Sequence, residues 1–298
     1  MSRQSPGTDH QPRTRQIAVD GARVACWESG PPDAEPVLLL HGYPADHHCW
    51  RHQVPPLSRG HRVITPDLLG WGRSERPLHL SFDYDTEVAR LGRAAGRAGA
   101  GLGEPGLATT TAASSPWASP SATPGACGRL AVLNSRAHAT FTRPWYAVFT
   151  LTGLVARTPA LRPAALRLPY AALHRRTFGP LVRAGHLTPD LLHHYLDWMD
   201  TPEGRRWLLH YFADYRTPPR ADLRRGLAAV TCPTAVVWGR SDPYLSPSIA
   251  TELAETVPAA ELTLLPGTGH WVMDERPAEV TAALRRLLSR PPPTSEPT

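Results

Sequence analysis

Residues 236–243, Val-Val-Trp-Gly-Arg-Ser-Asp-Pro, join an apolar run of strand length to a turn that carries an acidic side chain. Short unbroken apolar runs are typical of strands that are buried on both faces of a parallel sheet. Open parallel sheets place ligands and catalytic groups beyond the carboxyl ends of their strands. Asp242 therefore occupies a position that suits a catalytic carboxylate, and the alternative is an Asp-Pro turn with no chemical role.

Apolar runs of the same kind recur along the chain, and helical stretches alternate with them. The predicted strands comprise residues 36–40, 62–65, 130–133, 234–238 and 262–265. The predicted helices lie near residues 84–93, 246–256 and 276–289. This alternation predicts an α/β fold with a mostly parallel, doubly wound sheet.

One long stretch, residues 136–226, interrupts this alternation. It contains no convincing strand and is rich in Leu, Arg, Trp and Tyr at helical spacing, which predicts a helical cap inserted into the sheet domain. The sheet domain then comprises residues 16–135 and 227–290. Residues 1–15 and 291–298 are rich in Pro, Ser, Thr and charge, so we expect both ends to be disordered tails.

The composition excludes several classes of protein. The net charge is +6, but the 32 basic residues are all arginines, scattered with no run of five like charges, which argues against nucleic-acid binding. The four cysteines form no C-x-x-C pair, which argues against a disulfide framework or a cysteine zinc site. The N-terminus lacks the apolar region of a signal peptide, and no apolar run is long enough to span a bilayer. We expect a soluble, cytoplasmic protein that does not bind membranes.

A second chemical group lies near the end of the chain, in the stretch 266–271, Pro-Gly-Thr-Gly-His-Trp. His270 follows the last predicted strand, and Asp242 follows the preceding one. A carboxylate beside an imidazole fixes its tautomer and stabilises its cationic form, so that the imidazole can accept a proton. The pair predicts catalysis, although a histidine alone in a glycine-rich loop is often only a surface residue.

Two other blocks follow the first and second predicted parallel strands. In residues 41–44, His-Gly-Tyr-Pro, the turn allows the backbone N–H of Tyr43 to act as an oxyanion donor, and a simple strand-ending turn is the alternative. Residues 67–74, Asp-Leu-Leu-Gly-Trp-Gly-Arg-Ser, predict a structural loop. His47, His48 and His52 lie close in sequence, but we identify no carboxylate or cysteine that completes a metal site with them, so we expect a solvated helix start instead.

Together these blocks resemble the α/β-hydrolase superfamily over residues 17–93 and 129–289. The His-Gly-Tyr-Pro block, the loop 67–74 and the helical cap resemble in particular the epoxide hydrolase and haloalkane or haloacetate dehalogenase branch. The resemblance implies a reaction without a cofactor, in which an aspartate in Gly-His-Asp-x-Gly-Gly attacks a substrate carbon and a histidine activates water to hydrolyse the resulting ester.

The same resemblance assigns roles to residues of this chain. Asp242 is the acid, His270 is the base, and the Tyr43 N–H is the oxyanion donor. Epoxide hydrolases also need cap tyrosines that protonate the opening ring, and Tyr146, Tyr195 and Tyr211 are the candidates, with no basis for choosing among them. The implied substrate is small and mostly apolar.

The nucleophile is missing from this pattern. Residues 94–128 are rich in Ala, Gly, Thr, Ser and Pro and contain neither Gly-x-Ser-x-Gly nor Gly-x-Asp-x-Gly. The codons for residues 107–127 can be read in a shifted frame, in which each new codon takes the third base of one codon and the first two bases of the next. The bases that the amino acids fix then allow Gly-His-Asp-Tyr-Gly-Gly followed by apolar residues. We hypothesise that insertions or deletions changed the reading frame across residues 94–128 of an ordinary family member.

The shifted codons also distinguish between chemistries. At the nucleophile position, near Thr110, the middle base is A, so the codon can encode aspartate but never serine. The next codon excludes the Trp or Arg that many dehalogenases carry there. Tyr43 stands where haloalkane dehalogenases typically have a halide-binding asparagine. These points favour an epoxide hydrolase ancestry.

The chain as written is therefore expected to be inactive or nearly so. It is also expected to fold poorly, because Pro116, Pro120 and Pro124 recur where a helix should follow the nucleophile. Two alternatives remain open. One is a serine-type esterase that uses an unrecognised serine, and the other is a non-catalytic protein that binds a ligand under the cap. The sequence does not indicate an oligomeric state.

Overall fold

A computed structural model describes residues 12–99, 107–110 and 128–292, with residues 107–110 described as backbone. Eight strands form one sheet in the order β1-β2-β4-β3-β5-β6-β7-β8. The strands are β1 (Arg13–Val19), β2 (Ala22–Ser29), β3 (Pro36–Leu40), β4 (Arg62–Pro66), β5 (Leu107–Thr110), β6 (Arg129–Leu133), β7 (Thr234–Gly239) and β8 (Ala260–Leu265). The six strands β3 to β8 pair with one another in parallel, so the prediction of a mostly parallel α/β sheet is confirmed.

The antiparallel edge formed by β1 and β2 differs from the expectation for the N-terminus. Strand β1 begins at Arg13, inside the expected tail 1–15, and pairs along its length with β2. The first four residues of β1 are all exposed, and buried and exposed residues alternate only from Ile17 to Val19. The pattern of a half-buried strand is therefore hidden in the sequence. An ion pair of 2.6 Å between Arg15 and Glu28 joins the two strands. The remaining tail residues, 1–11 and 293–298, lie outside the described part of the chain.

Helices cover the sheet and fill the interval between β6 and β7. The helices before that interval are α1 (Val54–Leu57) and α2 (Tyr84–Arg97). Between β6 and β7 lie α3 (Arg143–Arg157), α4 (Arg162–Ala165), α5 (Tyr170–Arg183), α6 (Pro189–Leu196), α7 (Pro202–Asp214) and α8 (Ala221–Leu227). The last helices are α9 (Pro247–Thr256), α10 (Val272–Glu275) and α11 (Pro277–Leu288). The described residues between β6 and β7 contain no strand. Helices α3 to α7 form a cap over the sheet edge, whereas α8 packs against α9 in the sheet domain.

The loop 67–74 connects the sheet to this cap. Asp67 is buried and accepts hydrogen bonds from the backbone N–H groups of His47 and Arg73, at 2.9 and 2.8 Å. Gly70 has a φ of +91°, and a Cβ there would lie 1.7 Å from the indole of Trp207 in α7. Only glycine permits both this backbone conformation and this close approach. The loop therefore supports the cap directly.

Strand β5 lies at the centre of the sheet, between β3 and β6. In its backbone register, Thr110 is opposite Leu40 of β3 and Val132 of β6. The position inferred for the nucleophile is thus at the carboxyl end of the central strand, level with the ends of its two neighbours. Residues 111–127, including the three prolines expected to weaken the following helix, lie outside the described residues.

Within the described ranges, the structure has no helix both long enough and apolar enough to cross a membrane.

Candidate active site

His270 and Asp242 meet beyond the carboxyl ends of β8 and β7. The Nδ1 atom of His270 lies 2.7 Å from Oδ2 of Asp242. Because the carboxylate only accepts, Nδ1 carries the proton, and Nε2 is left to take a proton from water. The Asp242 side chain is fully buried, whereas the His270 side chain is about one-fifth exposed. The two residues that the sequence paired are therefore in hydrogen-bonding contact.

The Asp242 carboxylate is held by the loop around it. Its Oδ1 atom accepts from the backbone N–H groups of Tyr244 and Leu245, at 2.7 and 3.1 Å. Burial acts to raise the pKa of this carboxyl, but the charge and hydrogen bond of His270 and the hydrogen bonds from Asn134 and Leu245 outweigh it. The pKa consequently lies below its ordinary value, so Asp242 stays ionised and can stabilise an imidazolium.

Asn134, at the end of β6, is a site residue that sequence reasoning missed. Its Nδ2 donates to Asp242 Oδ2 at 2.5 Å, and its Oδ1 accepts from the backbone N–H of Gly239 at 3.1 Å. The amide thus ties the end of β6 to the acid loop after β7. A polar residue directly after an apolar strand, at the same sheet edge as Asp242, was the signal that could have identified it.

Removing this amide is expected to destabilise the fold. In Asn134→Ala, the buried N–H of Gly239 loses its partner, which typically costs about 1–3 kcal/mol, whereas Oδ2 of Asp242 keeps its hydrogen bond to His270. We expect a loss in the free energy of unfolding of that size, measured by urea denaturation. A loss below about 0.5 kcal/mol, typical of surface positions, would contradict the role assigned to Asn134.

Tyr43 lines the same cavity as His270. Its N–H donates to no backbone carbonyl within the described ranges, which leaves it available as the predicted oxyanion donor. Its hydroxyl is hydrogen-bonded to Nε2 of His174 in α5. His174 Nδ1 lies 2.7 Å from the carbonyl of Tyr170, so Nδ1 carries the proton and Nε2 accepts from Tyr43.

A cavity of about 470 Å³ lies between the sheet edge and the cap, with His270 and Asn134 in its wall. The wall is mostly aromatic and aliphatic. Its members from the cap and its flanking loops include Phe141, Trp145, Val148, Phe149, Leu151, Leu168, Tyr170, Leu173, His174, Phe178, Tyr211, Phe212 and Tyr215. A wall of this composition suits a small apolar molecule that carries few polar groups.

The structure separates the three cap tyrosines proposed from sequence. Tyr211 lines the cavity, and burial raises its pKa well above the ordinary value, so its hydroxyl remains protonated. Tyr195 packs on Trp271 with ring centroids 6.2 Å apart, and Tyr146 is partly buried, but neither lines the cavity. Tyr215, which the sequence did not single out, lines it as well, with its hydroxyl 3.4 Å from Arg136.

Two of the three histidines near residue 50 lie at a helix start, as expected. His47 and His48 begin a short 3-10 helix, whereas His52 lines a separate surface cavity. The buried carboxylate of Asp46 is hydrogen-bonded to His48 and to His194 of α6, whereas His47 is hydrogen-bonded to Asp67. The sequence-based view that nothing completes a ligand set overlooked Asp46, which is adjacent in sequence, and His194, which is distant.

Comparison with known proteins decides the family. A model of the alpha/beta hydrolase family matches residues 37–284. The chain belongs to this family. The match includes strands β3 to β8, the cap and both members of the Asp242–His270 pair.

Individual relatives narrow the resemblance within the alpha/beta hydrolases. Epoxide hydrolase A of Mycobacterium tuberculosis is 28% identical, across 93% of this chain and 98% of its own length. A haloalkane dehalogenase of Psychrobacter cryohalolentis is 54% identical, but over 22% of each chain. The solved structure of an epoxide hydrolase variant from Bacillus megaterium has a TM-score of 0.74 at 22% identity, covering 93% of this chain and 100% of that one. The predicted resemblance to the epoxide hydrolase and dehalogenase branch is confirmed.

Proposed function

We propose that this alpha/beta hydrolase derives from an epoxide hydrolase that uses an aspartate nucleophile, and that the chain as written does not turn over. The observation that carries the proposal is the hydrogen bond of 2.7 Å between His270 and Asp242, at the wall of an apolar cavity. In this proposal Asp242 is the acid and His270 is the base. We assign the position of the missing nucleophile to Thr110, the last residue of β5, and a neutral hydroxyl is a weak nucleophile.

In a chain with aspartate at that position, the reaction has two steps. The carboxylate attacks an epoxide carbon, the ring C–O bond breaks, and the alkoxide oxygen takes a proton from Tyr211. His270 Nε2 then removes a proton from water, and the hydroxide adds to the ester carbonyl, whose oxyanion is stabilised by the Tyr43 N–H. Collapse of this intermediate regenerates the aspartate and releases a diol, whose leaving oxygen takes the proton that the hydroxide brought. Asp242 stabilises the imidazolium meanwhile, and the imidazolium then returns its proton by way of water to the Tyr211 phenolate, which restores both groups.

Three observations favour an epoxide over a haloalkane as the ancestral substrate. Tyr43 presents a phenol hydrogen-bonded to His174, rather than an asparagine side chain that would bind a halide. Tyr211 and Tyr215 both line the cavity, where a ring-opening reaction needs a proton donor. The epoxide hydrolase relative also matches 93% of the chain, whereas the dehalogenase relative matches 22%.

Assays of the chain as written test the inactive part of this proposal. We expect no turnover of a terminal aryl epoxide, a primary chloroalkane or a p-nitrophenyl ester above the rate without protein, and no labelling by a fluorophosphonate probe. Ester hydrolysis together with labelling of a serine would instead establish the serine-type alternative. Saturable binding of apolar ligands without turnover would support a ligand-binding protein that has lost its chemistry.

A further inference from the structure

A second polar cluster connects the cap to the sheet domain and takes no part in the proposed reaction. We call the side chains of Asp46, His47, His48 and His194 the His–Asp cluster. The first three lie at the short 3-10 helix His47–Trp50 after β3, and His194 belongs to the cap helix α6. None of the four lines the cavity that contains His270.

The Asp46 carboxylate is the centre of the His–Asp cluster. Its Oδ1 lies 2.8 Å from Nδ1 of His48, and its Oδ2 lies 2.6 Å from Nε2 of His194. One potential ligand atom each from Asp46, His47 and His48 lies within 4.8 Å of the other two. The Asp46 side chain is buried, whereas those of His48 and His194 are about 40% exposed. The cluster therefore has a fixed carboxylate and two imidazoles that an ion can reach from solvent.

The charges around the cluster are unbalanced when the histidines are neutral. Asp46 and Asp67 are both buried, and the ion-pair partners that the structure describes for their carboxylates are all histidines. Within the described ranges, no arginine comes within 4.0 Å of either carboxylate. Buried carboxylates are normally compensated by a cation, and a bound metal ion is one such cation.

We propose that Asp46, His48 and His194 bind a divalent transition metal of the zinc class and that this ion joins the cap to the sheet domain. Imidazole nitrogens and a carboxylate oxygen are ordinary zinc ligands, and water can fill a remaining position. Tetrahedral bonds of about 2.0–2.2 Å place ligand atoms about 3.3 Å apart. An ion that replaces the shared protons would lie between the Asp46 carboxylate and the two imidazoles, which are exposed enough to move away from the carboxylate as it binds.

His47 positions the cluster from the other side without serving as one of these three ligands. Its Nδ1 is hydrogen-bonded to Asp67 at 2.9 Å, and its ring stacks on Trp27 with centroids 3.5 Å apart. The His48 ring lies 3.9 Å from the His47 ring and 4.8 Å from the His194 ring, so the three imidazoles follow one another.

Titration with zinc chloride alone tests the site. The full chain is examined by calorimetry and by thermal unfolding, with His48→Gln and His194→Gln as ligand variants. His193→Gln is the matched control, because His193 is adjacent on the same helix, is 58% exposed and contacts Asp197 instead. We expect one zinc ion per chain and a rise in the unfolding temperature of the unaltered protein. Each ligand variant should bind at least about tenfold more weakly, since even outer-shell partners of metal sites contribute that much.

Two results would overturn the proposal. One is the absence of saturable binding at millimolar zinc, and the other is equal affinity in His193→Gln and His194→Gln.

The same titrations are repeated on the restored chain defined in the Discussion, in which the segment after β5 is returned to the family pattern. Poor folding of the chain as written therefore does not prevent a decision, because the four cluster residues are identical in both proteins.

Discussion

Returning Gly-His-Asp-Tyr-Gly-Gly to the end of β5 is expected to convert this chain into an active epoxide hydrolase. The restored chain is made by reversing the frame change across the codons for residues 94–128, which places aspartate at the position of Thr110. Loss of a nucleophile or its base typically costs about 10⁴- to 10⁶-fold in turnover, so we expect a gain of at least about 10⁴-fold in kcat/KM. Diol formation from a terminal aryl epoxide, followed by chromatography, measures it.

The control separates repaired folding from repaired chemistry. The control is an otherwise identical restored chain that carries asparagine, instead of aspartate, at the position of Thr110. It keeps the turn and the following helix but has no carboxylate at that position. It should fold as well as the restored chain, judged by its thermal unfolding, and stay inactive. Equal activity in both chains would rule out aspartate at this position as the nucleophile. A folded but inactive aspartate chain would contradict the proposed chemistry for the substrates tested.

Replacing His270 in the restored chain is expected to stop the reaction halfway. In His270→Gln, the aspartate can still attack the epoxide, but no base activates water for hydrolysis of the ester. We expect steady-state turnover to fall by about 10⁴-fold or more, with one substrate molecule retained covalently on each chain. Mass spectrometry of the intact protein should show an added mass equal to that of the epoxide.

The position of the adduct provides the decisive detail. Peptide mapping should locate it at the restored aspartate. The restored chain with His193→Gln, a histidine exposed on α6, should turn over normally and retain no adduct. Loss of turnover without an adduct would mean that His270 acts before or during the first step, and the assigned order of events would then be incorrect.

Strands buried on both faces were the easiest elements to predict. The strand predicted at residues 36–40 has the same bounds in the structure, because parallel strands covered by helices must be apolar at every position. The pair β1 and β2 was missed because β1 lies at the sheet edge, where four successive exposed residues conceal the alternation of a half-buried strand. The local sequence therefore revealed the middle of the sheet but not its edge.

The site was predictable where its members follow strands and was not predictable where they come from the cap. Asp242 and His270 were found because each follows an apolar run. Helical spacing indicates that tyrosines share a helix face, but it does not indicate which face meets the cavity, so Tyr211 could not be separated from Tyr195. The contact between Asp46 and His194 joins residues 148 positions apart and leaves no local signal.

The cavity takes its floor and its roof from different parts of the chain. His270 in the floor follows β8 and is hydrogen-bonded to Asp242, which follows β7, whereas the roof belongs to helices inserted between β6 and β7. Leu151 and Leu168 line the cavity and are also exposed, so substitutions there reshape its entrance without touching the acid and base. Selectivity and reactivity can therefore evolve independently in this architecture, and the roof can diverge toward new ligands even in a lineage whose floor no longer performs chemistry.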